Sequence, residues 1–400
     1  MSQPDQPTPD LPPMVLPVRG PAYAPAAPPP PPPRSGFGWL SGLIALALFV
    51  SVGLNVLLFM GLAMNLDSGG SGGLPVTERT YAGSTGDKVA VIRVEGVIME
   101  GLTDYVHKQI DKAAKDKSVK AIVLRVESPG GTITASDDLH RRLVELRDGT
   151  CKRYAASGAK PIVVSMGNLA ASGGYYIAMP GEHIFAERTT ITGSIGVYAS
   201  FVNVHQLADK YGIQMELVKA GGIKGAGSMF HELSPQERQQ WQDMVDHAYQ
   251  QFLAIVEAGR PDLKGKLEQP VFANREITVR DHKGNPKLND TGKPQLATYS
   301  RQRADGGIYT AAEALKYGLV DDIGTLEDAV AHVAKKVGLS EYRTVVYDKP
   351  VSLFGPLGLS STPPNQGQLD LGRLANAATP RLWLLAPQAE LAGFCTAVTR

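Results

Sequence analysis

A serine set among glycines at the end of an apolar run is the most informative chemistry in this chain. Residues 166–179 read Met-Gly-Asn-Leu-Ala-Ala-Ser-Gly-Gly-Tyr-Tyr-Ile-Ala-Met, so a strand-like run enters small residues, meets Ser172 and leaves into helix-compatible sequence. That order predicts Ser172 at a helix N-terminus, where unpaired backbone N–H groups favour developing negative charge. The plainer alternative makes Ser172 an N-cap and Ala171 to Gly174 a device for tight packing. A second glycine site, Glu127-Ser128-Pro129-Gly130-Gly131, follows the β-branched run 121–126. Proline stiffens such a turn, and paired glycines let the backbone approach a substrate and present an N–H outward. Beside Ser172 it would supply the second donor of an oxyanion hole.

A nucleophilic serine needs a base. The nearest downstream histidines, His183 and His205, lie in no triad-like setting, and His183 reads as a structural residue of the strand 183–186. A lysine held neutral by burial is the other solution, because desolvation disfavours the ammonium. Lys219 and Lys224, in the segment 218–228, are the candidates, and chemistry alone does not separate them. Ser157-Gly158-Ala159-Lys160 has Ser-x-x-Lys spacing, but Lys160 leads straight into an apolar strand and no companion motif accompanies it. There is no phosphate-binding loop, dinucleotide fingerprint, His-Glu-x-x-His or Cys-x-x-Cys, so neither cofactor nor metal is expected.

The elements that must position these residues alternate. Strands are predicted over 89–94, 121–126, 161–166 and 183–186, and helices over 103–116, 139–147, 236–257, 309–319 and 325–337. Ser234-Pro235 with Glu237 three residues after the serine is capping-box spacing for the longest of these helices. Strand–helix alternation indicates an α/β domain on a largely parallel sheet. Residues 265–303, rich in Lys, Arg, Asn, Asp and Gly, read as a surface hairpin or mobile excursion.

The ends are different polymers. Fourteen of 29 prolines fall within the first 33 residues, which predicts a disordered tail over 1–35. Residues 39–64 carry no charge, and 26 helical residues would span about 39 Å against a hydrocarbon core of about 30 Å, so 36–66 is read as a transmembrane helix. Arg34 precedes the span and Asp67 follows it, which puts the N-terminus in the cytoplasm and the rest outside the cytoplasmic membrane. A linker over 67–86, containing Ser-Gly-Gly-Ser-Gly-Gly, leads to a domain over 87–348, and six prolines predict an irregular tail over 349–400. A net charge of +1 offers no footprint for nucleic acid. Two cysteines, Cys151 and Cys395, exclude a disulfide-stapled scaffold, and their pairing stays open.

Three segments together resemble the signal peptide peptidase A family, membrane-anchored serine–lysine proteases with the Clp protease and crotonase type of fold. They are Ala170-Ala171-Ser172-Gly173-Gly174-Tyr175-Tyr176, Thr192-Gly193-Ser194-Ile195-Gly196-Val197 and Gly222-Ile223-Lys224-Gly225-Ala226-Gly227. The resemblance implies Ser172 as nucleophile, Lys224 as general base, Ser194 as the residue orienting Lys224, and Gly131 and Gly173 N–H groups as the oxyanion hole. It also implies peptide substrates, cleaved signal peptides or other extended apolar peptides, and a homo-oligomeric ring. Gly318-Leu319-Val320-Asp321 is family-like and read as structural. The 265–303 excursion and the proline-rich tail depart from the family pattern. A non-catalytic scaffold on the same fold would have no need of the full Ser172, Ser194, Lys224 set, and an acyl-CoA enzyme would have no use for it.

Overall fold

The computed structural model describes residues 42–44, 46–53, 76–83, 86–151, 158–348 and 381–385. The chain divides after Gly72 into two units. In the first, 42–44 and 46–53 are helical (α1) and expose Leu43, Ile44, Leu46 and Phe49. Among the described residues no helix is long and apolar enough to cross a membrane. Most of the expected span over 36–66, the tail over 1–35 and residues 67–75 and 84–85 of the expected linker lie outside the described residues, as does Cys395, while Thr77–Ala82 of that linker are instead a strand that pairs along Arg343–Asp348, so the folded domain begins before residue 87.

The second unit is a mixed α/β domain. Its main sheet runs β1 (Thr77–Ala82), β13 (Arg343–Asp348), β2 (Lys88–Glu95), β3 (Val119–Ser128), β5 (Ile162–Ala171), β6 (His183–Ala186) and β12 (Asp322–Ile323). All neighbours along this path are parallel except β1 and β13. β7 (Ile191–Gly193) joins β5 in parallel, and β11 (Ile308–Thr310) joins β7 antiparallel. A parallel sheet must be covered on both faces, and β2 and β3 are accordingly near-continuous apolar runs. Ala90, Ile92, Ile122 and Leu124 face α2 (Asp104–Lys115) and α3 (Ile133–Asp148); Val89, Val91, Ala121 and Val123 face α8 (Leu326–Lys336). α6 (Pro235–Gly259) opens on the expected capping box, with Ser234 Oγ accepting from Glu237 N–H and Glu237 Oε2 from Ser234 N–H.

The four strands and the helices over 103–116, 139–147, 236–257 and 325–337 are present, with α3 beginning before residue 139 and β5 continuing five residues past Met166, but the helix expected over 309–319 is only α7 (Ala311–Lys316), because Tyr309 and Thr310 belong to β11 and pair with β7. The 265–303 excursion is a hairpin of β9 (Pro270–Thr278) and β10 (Leu296–Gln302). Its tip is an eight-residue repeat, Asp281-His-Lys-Gly-Asn-Pro-Lys-Leu288 followed by Asn289-Asp-Thr-Gly-Lys-Pro-Gln-Leu296. Three hydrogen bonds close on themselves across it: Lys287 N–H to Val279 O, Gln295 N–H to Lys287 O and Val279 N–H to Gln295 O, each 2.8 Å. Asp281 and Asn289 cap the two turns through their Oδ1 atoms. Within the tail expected to be irregular, 381–385 form a strand, β14 (Arg381–Leu385). The run Leu-Trp-Leu-Leu carries strand propensity despite the prolines around it, and it finds pairing partners on both sides.

Lys160 is almost fully buried, and its Nζ donates to the carbonyls of Asp116 at 2.8 Å and Val119 at 2.6 Å. The ammonium thus ties the start of β3 to the start of β5, which explains its place immediately before a strand. Burial pushes its pKa down to about 8 from 10.5. Between those values the unfolded chain holds a proton that the folded chain has released, so folding stability gains as pH rises through this window. Denaturant midpoints measured at pH 7.5 and pH 10 are expected to show this gain in the parent relative to Lys160→Met; a difference between the two proteins that stays constant with pH would refute the assignment.

Candidate active site

β5 changes partners half-way along its length. On one edge 163–166 pair with β6 and Leu169–Ala171 with β7, while the other edge keeps β3 as its partner at 162–166 and, after a register shift, again at Ala170. The changeover falls at Gly167-Asn168, where Asn168 N–H donates to Glu127 Oε2 at 3.0 Å. A Cβ on Gly167 would lie 1.7 Å from the same oxygen, so glycine admits the carboxylate that satisfies the bend.

Beyond the bend Ala171 pairs with Gly193, which makes the next residues on the two strands, Ser172 and Ser194, neighbours. Ser172 N–H donates to Gly193 O and Ser194 N–H to Gly307 O, both at 2.8 Å. Among the described residues these two serines are the non-glycine positions with positive φ, 54° and 52°. Such backbone costs of order 1–3 kcal/mol per residue, and strain of this kind gathers where side chains must be aimed. Both serines are buried, and Ser172 Oγ has no hydrogen-bond partner among the described residues. The N-cap alternative therefore fails, since Ser172 makes no side-chain cap.

The expected helix after Ser172 is a single turn, α4 (Gly173–Tyr176). One turn sums few peptide dipoles, so stabilisation here rests on individual N–H groups rather than on a macrodipole. Gly173 is its first residue, whose N–H the helical pattern leaves without an acceptor. The turn is pinned from both sides: Tyr175 OH donates to Leu319 O at 2.8 Å and Tyr176 OH to Asp137 Oδ1 at 2.7 Å. Leu319 belongs to the Gly318–Asp321 motif, in which Asp321 takes a two-pronged contact from Arg260 at 2.6 and 2.7 Å and accepts from Ile184 N–H. Burial pushes the Asp321 carboxyl up, and the Arg260 hydrogen bonds and charge outweigh it, leaving the group below the usual carboxylate range. His140, edge-on to Tyr176, is pushed by burial down to about 4 and so is a neutral packing group at pH 7.

Gly131 lies in β4 (Gly130–Thr132). A Cβ there would sit 1.7 Å from Ile98 O, so the backbone approach needs glycine. β4 and β8 (Tyr198–Ser200) do not pair with each other; β14 fills the place between them, antiparallel to both. Two hollows flank this strand. One, of about 810 Å³, is lined by Thr132, Ile133, Trp241, Met244 and His247; the other, of about 640 Å³, by Tyr198, Ser228, His231, Arg238 and Trp241.

Lys219 and Lys224 separate here. Lys219 Nζ lies 3.6 Å from Oε1 of Glu237, the carboxylate already used by the capping box. Lys224 stands in the turn 221–226, which His231 Nε2 braces through Gly225 O at 2.8 Å. The burial expected for Lys224 is not found in the single chain, where it is exposed and makes no contact with Ser172 Oγ. The reason is local: 212–224 is exposed throughout, with Ile213, Met215, Leu217, Val218 and Ile223 facing outward and nothing among the described residues covering them. Thus Ser172, Ser194, Gly173 and the Gly131 strand form one cluster, and Lys224 stands apart from it. Sequence reading missed Glu127, Tyr175 with Leu319, Gly307 and β14. Glu127 lay within a quoted motif, but only the bend of β5 gives its carboxylate a role. Among the described residues there is no cluster of three or more His, Cys, Asp or Glu side chains that could hold a metal ion.

Comparison with known proteins agrees with the serine motif. Peptidase family S49 matches residues 155–276, a stretch that includes Ser172, Ser194 and Lys224. A protease homologue of Synechocystis is 34% identical over 272 residues, covering 67% of this chain and 82% of that one. A signal peptide peptidase homologue of Enterococcus faecium is 29% identical over 327 residues, 72% of this chain and 83% of the relative. Protease 4 of Salmonella typhi is 32% identical over 277 residues, but the match spans only 38% of its length. The chain belongs to peptidase family S49 and is a protease of the signal peptide peptidase A group.

Proposed function

We propose that this protein is a membrane-tethered serine endopeptidase that uses a Ser172–Lys224 dyad to cut cleaved signal peptides or other extended apolar peptides. The observation that carries the reading is Ser172 itself: buried, strained, without a hydrogen-bond partner for its Oγ among the described residues, and beside a slot that holds an extended strand. In the mechanism, neutral Lys224 takes the Ser172 proton and Oγ attacks the peptide carbonyl. The oxyanion rests on the N–H groups of Gly131 and Gly173, and Ser194 orients the lysine. Lys224 then gives the proton to the leaving amine, and water hydrolyses the acyl-enzyme. Apolar walls from Ile133, Trp241 and Met244 suit apolar side chains on the substrate.

A lysine works as a base near neutral pH only out of water, so the exposed strip 212–224 needs a cover. In this reading subunits of the Clp and crotonase type of fold assemble into a ring, and the assembly covers Ile213, Met215, Leu217 and Val218. The uncharged stretch 39–64 anchors the chain in the cytoplasmic membrane, with the catalytic domain outside the cytoplasm.

Ser172→Ala and Lys224→Ala are each expected to lower turnover of an apolar peptide by at least about three orders of magnitude, while Lys219→Ala retains it. Unchanged activity in Ser172→Ala would end the assignment. Val218→Glu, at a residue 91% exposed in the single chain, should shift light scattering toward the monomer and reduce activity in parallel; an intact oligomer would place the interface elsewhere. Removal of residues 36–66 should move the protein from the membrane pellet to the soluble fraction, and retention in the pellet would argue against the anchor.

A further inference from the structure

Ser194 stands at positive φ with its N–H donated to Gly307 O at 2.8 Å, so whatever fixes Gly307 also fixes half of the serine pair. Residues 305–307 form a tight turn. Asp305 Oδ1 accepts the Gly307 N–H at 2.9 Å, two residues on, and Gly306 between them sits at φ 78°. A side chain that caps a turn in this way aims it only if the carboxylate is itself held. Arg301 holds it. Its Nε donates to Oδ2 and its Nη2 to Oδ1 at 3.0 Å, a two-pronged contact, and Gln302 N–H adds a further donor to Oδ2 at 3.2 Å.

The guanidinium reaches the serine pair by a second route. It lies so close over Gly307 that a Cβ there would sit 2.1 Å from Arg301 Nη2, which only glycine allows. Its Cζ stands 4.5 Å from the centre of the Tyr309 ring, and the same ring presses on Gly193, where a Cβ would sit 2.7 Å from Tyr309 Cδ2. Gly193 O accepts the Ser172 N–H. Arg301 therefore braces the surroundings of both serines. The ion pair is largely withdrawn from water, with 17% of the Arg301 side chain and 22% of the Asp305 side chain exposed. Burial pushes the Asp305 carboxyl up, and the hydrogen bonds from Arg301 and from Gly307 N–H outweigh it, leaving the group below the usual carboxylate range. Arg301 belongs to β10, the returning strand of the 265–303 hairpin, whereas Asp305 and Gly307 lead into β11 of the main sheet. The contact thus joins the foot of the hairpin to the turn under Ser194.

We propose that Arg301 and Asp305 are positioning residues for the Ser172 site: the ion pair at the foot of the hairpin sets the 305–307 turn, and the turn sets the backbone of Ser194. The inference rests on the peptidase reading for the consequence of that geometry, since Ser194 is there the residue that orients Lys224. An ion pair that only joined two segments would cost stability alone when broken. A positioning pair lowers the chemical step while leaving peptide binding in place.

The test uses the full chain and an internally quenched peptide of alanine and leucine residues. Asp305→Ala removes both the charge and the Gly307 contact, Arg301→Gln removes the clamp, and the conservative Asp305→Asn can keep Oδ1 as the acceptor for Gly307 N–H. Asp305→Ala and Arg301→Gln are expected to lower kcat roughly tenfold with KM within about twofold, and Asp305→Asn to recover most of that loss. In a Ser194→Ala background Asp305→Ala should cost no more than about twofold further, because residues acting through one another are not additive. Arg301→Gln carries the same comparison if Asp305→Ala does not fold. A full tenfold loss in the Ser194→Ala background, or a loss carried by KM with kcat intact, would overturn the proposal. Amide exchange reads the geometry without turnover: the Ser194 N–H should exchange at least about tenfold faster in Asp305→Ala and Arg301→Gln than in the parent. An unchanged exchange rate would sink the proposal whether or not the peptide is cut. Faster exchange in the variants of a parent that cleaves no peptide would uphold the positioning and refute instead the peptidase reading.

Discussion

The pairing of the last three residues of β5 with β7 is the contact on which the site depends. A parallel register that matches Ala171 to Gly193 leaves Ser172 and Ser194 as the first residues beyond the ladder, each turned to positive φ by the chain that follows. Neither conformation is favourable alone. Each is held by a backbone hydrogen bond from a neighbouring strand or loop, Gly193 O for Ser172 and Gly307 O for Ser194. Those acceptors are themselves set by β7 and β11, so the serine pair inherits its geometry from the sheet rather than from the one-turn helix beside it. Glu127 and Gly167 make the bend that sends β5 toward β7, and Tyr175 and Tyr176 keep the turn after Ser172 from relaxing.

Much of this architecture was legible because the central strands are buried on both faces. Val89–Val94, Ala121–Val126 and Pro161–Met166 stand out as apolar runs, and Ser234-Pro235 with Glu237 announces a helix start through short-range hydrogen bonds. Ser172 was legible by the same local logic, small residues after a strand. The eight-residue repeat at the hairpin tip was equally local, yet its Gly and Pro content was read only as turn chemistry. What escaped altogether depends on distant pairing. Glu127 and Asn168 are 41 residues apart, Tyr175 and Leu319 are 144 apart, and β14 lies far along a tail dominated by proline. Periodicity and propensity carry no information about such partners.

Lys224 marks a different boundary. The residue type and its motif are plain in the sequence, but burial belongs to a surface, and the segment 212–224 presents its apolar side chains outward. In the proposed mechanism, the base that depends on desolvation is thereby separated from a nucleophile that is already buried. The two halves of the chemistry are built by different means: one by the internal pairing of a single sheet, the other by whatever closes over an exposed loop.

The hairpin tip shows the opposite economy. Val279, Lys287 and Gln295 satisfy one another in a ring of three backbone hydrogen bonds, so the tip is held together by its own chain. Such a knob is a self-contained cassette: its side chains can be rewritten, or the whole unit exchanged for another of the same span, while the serine pair keeps its register.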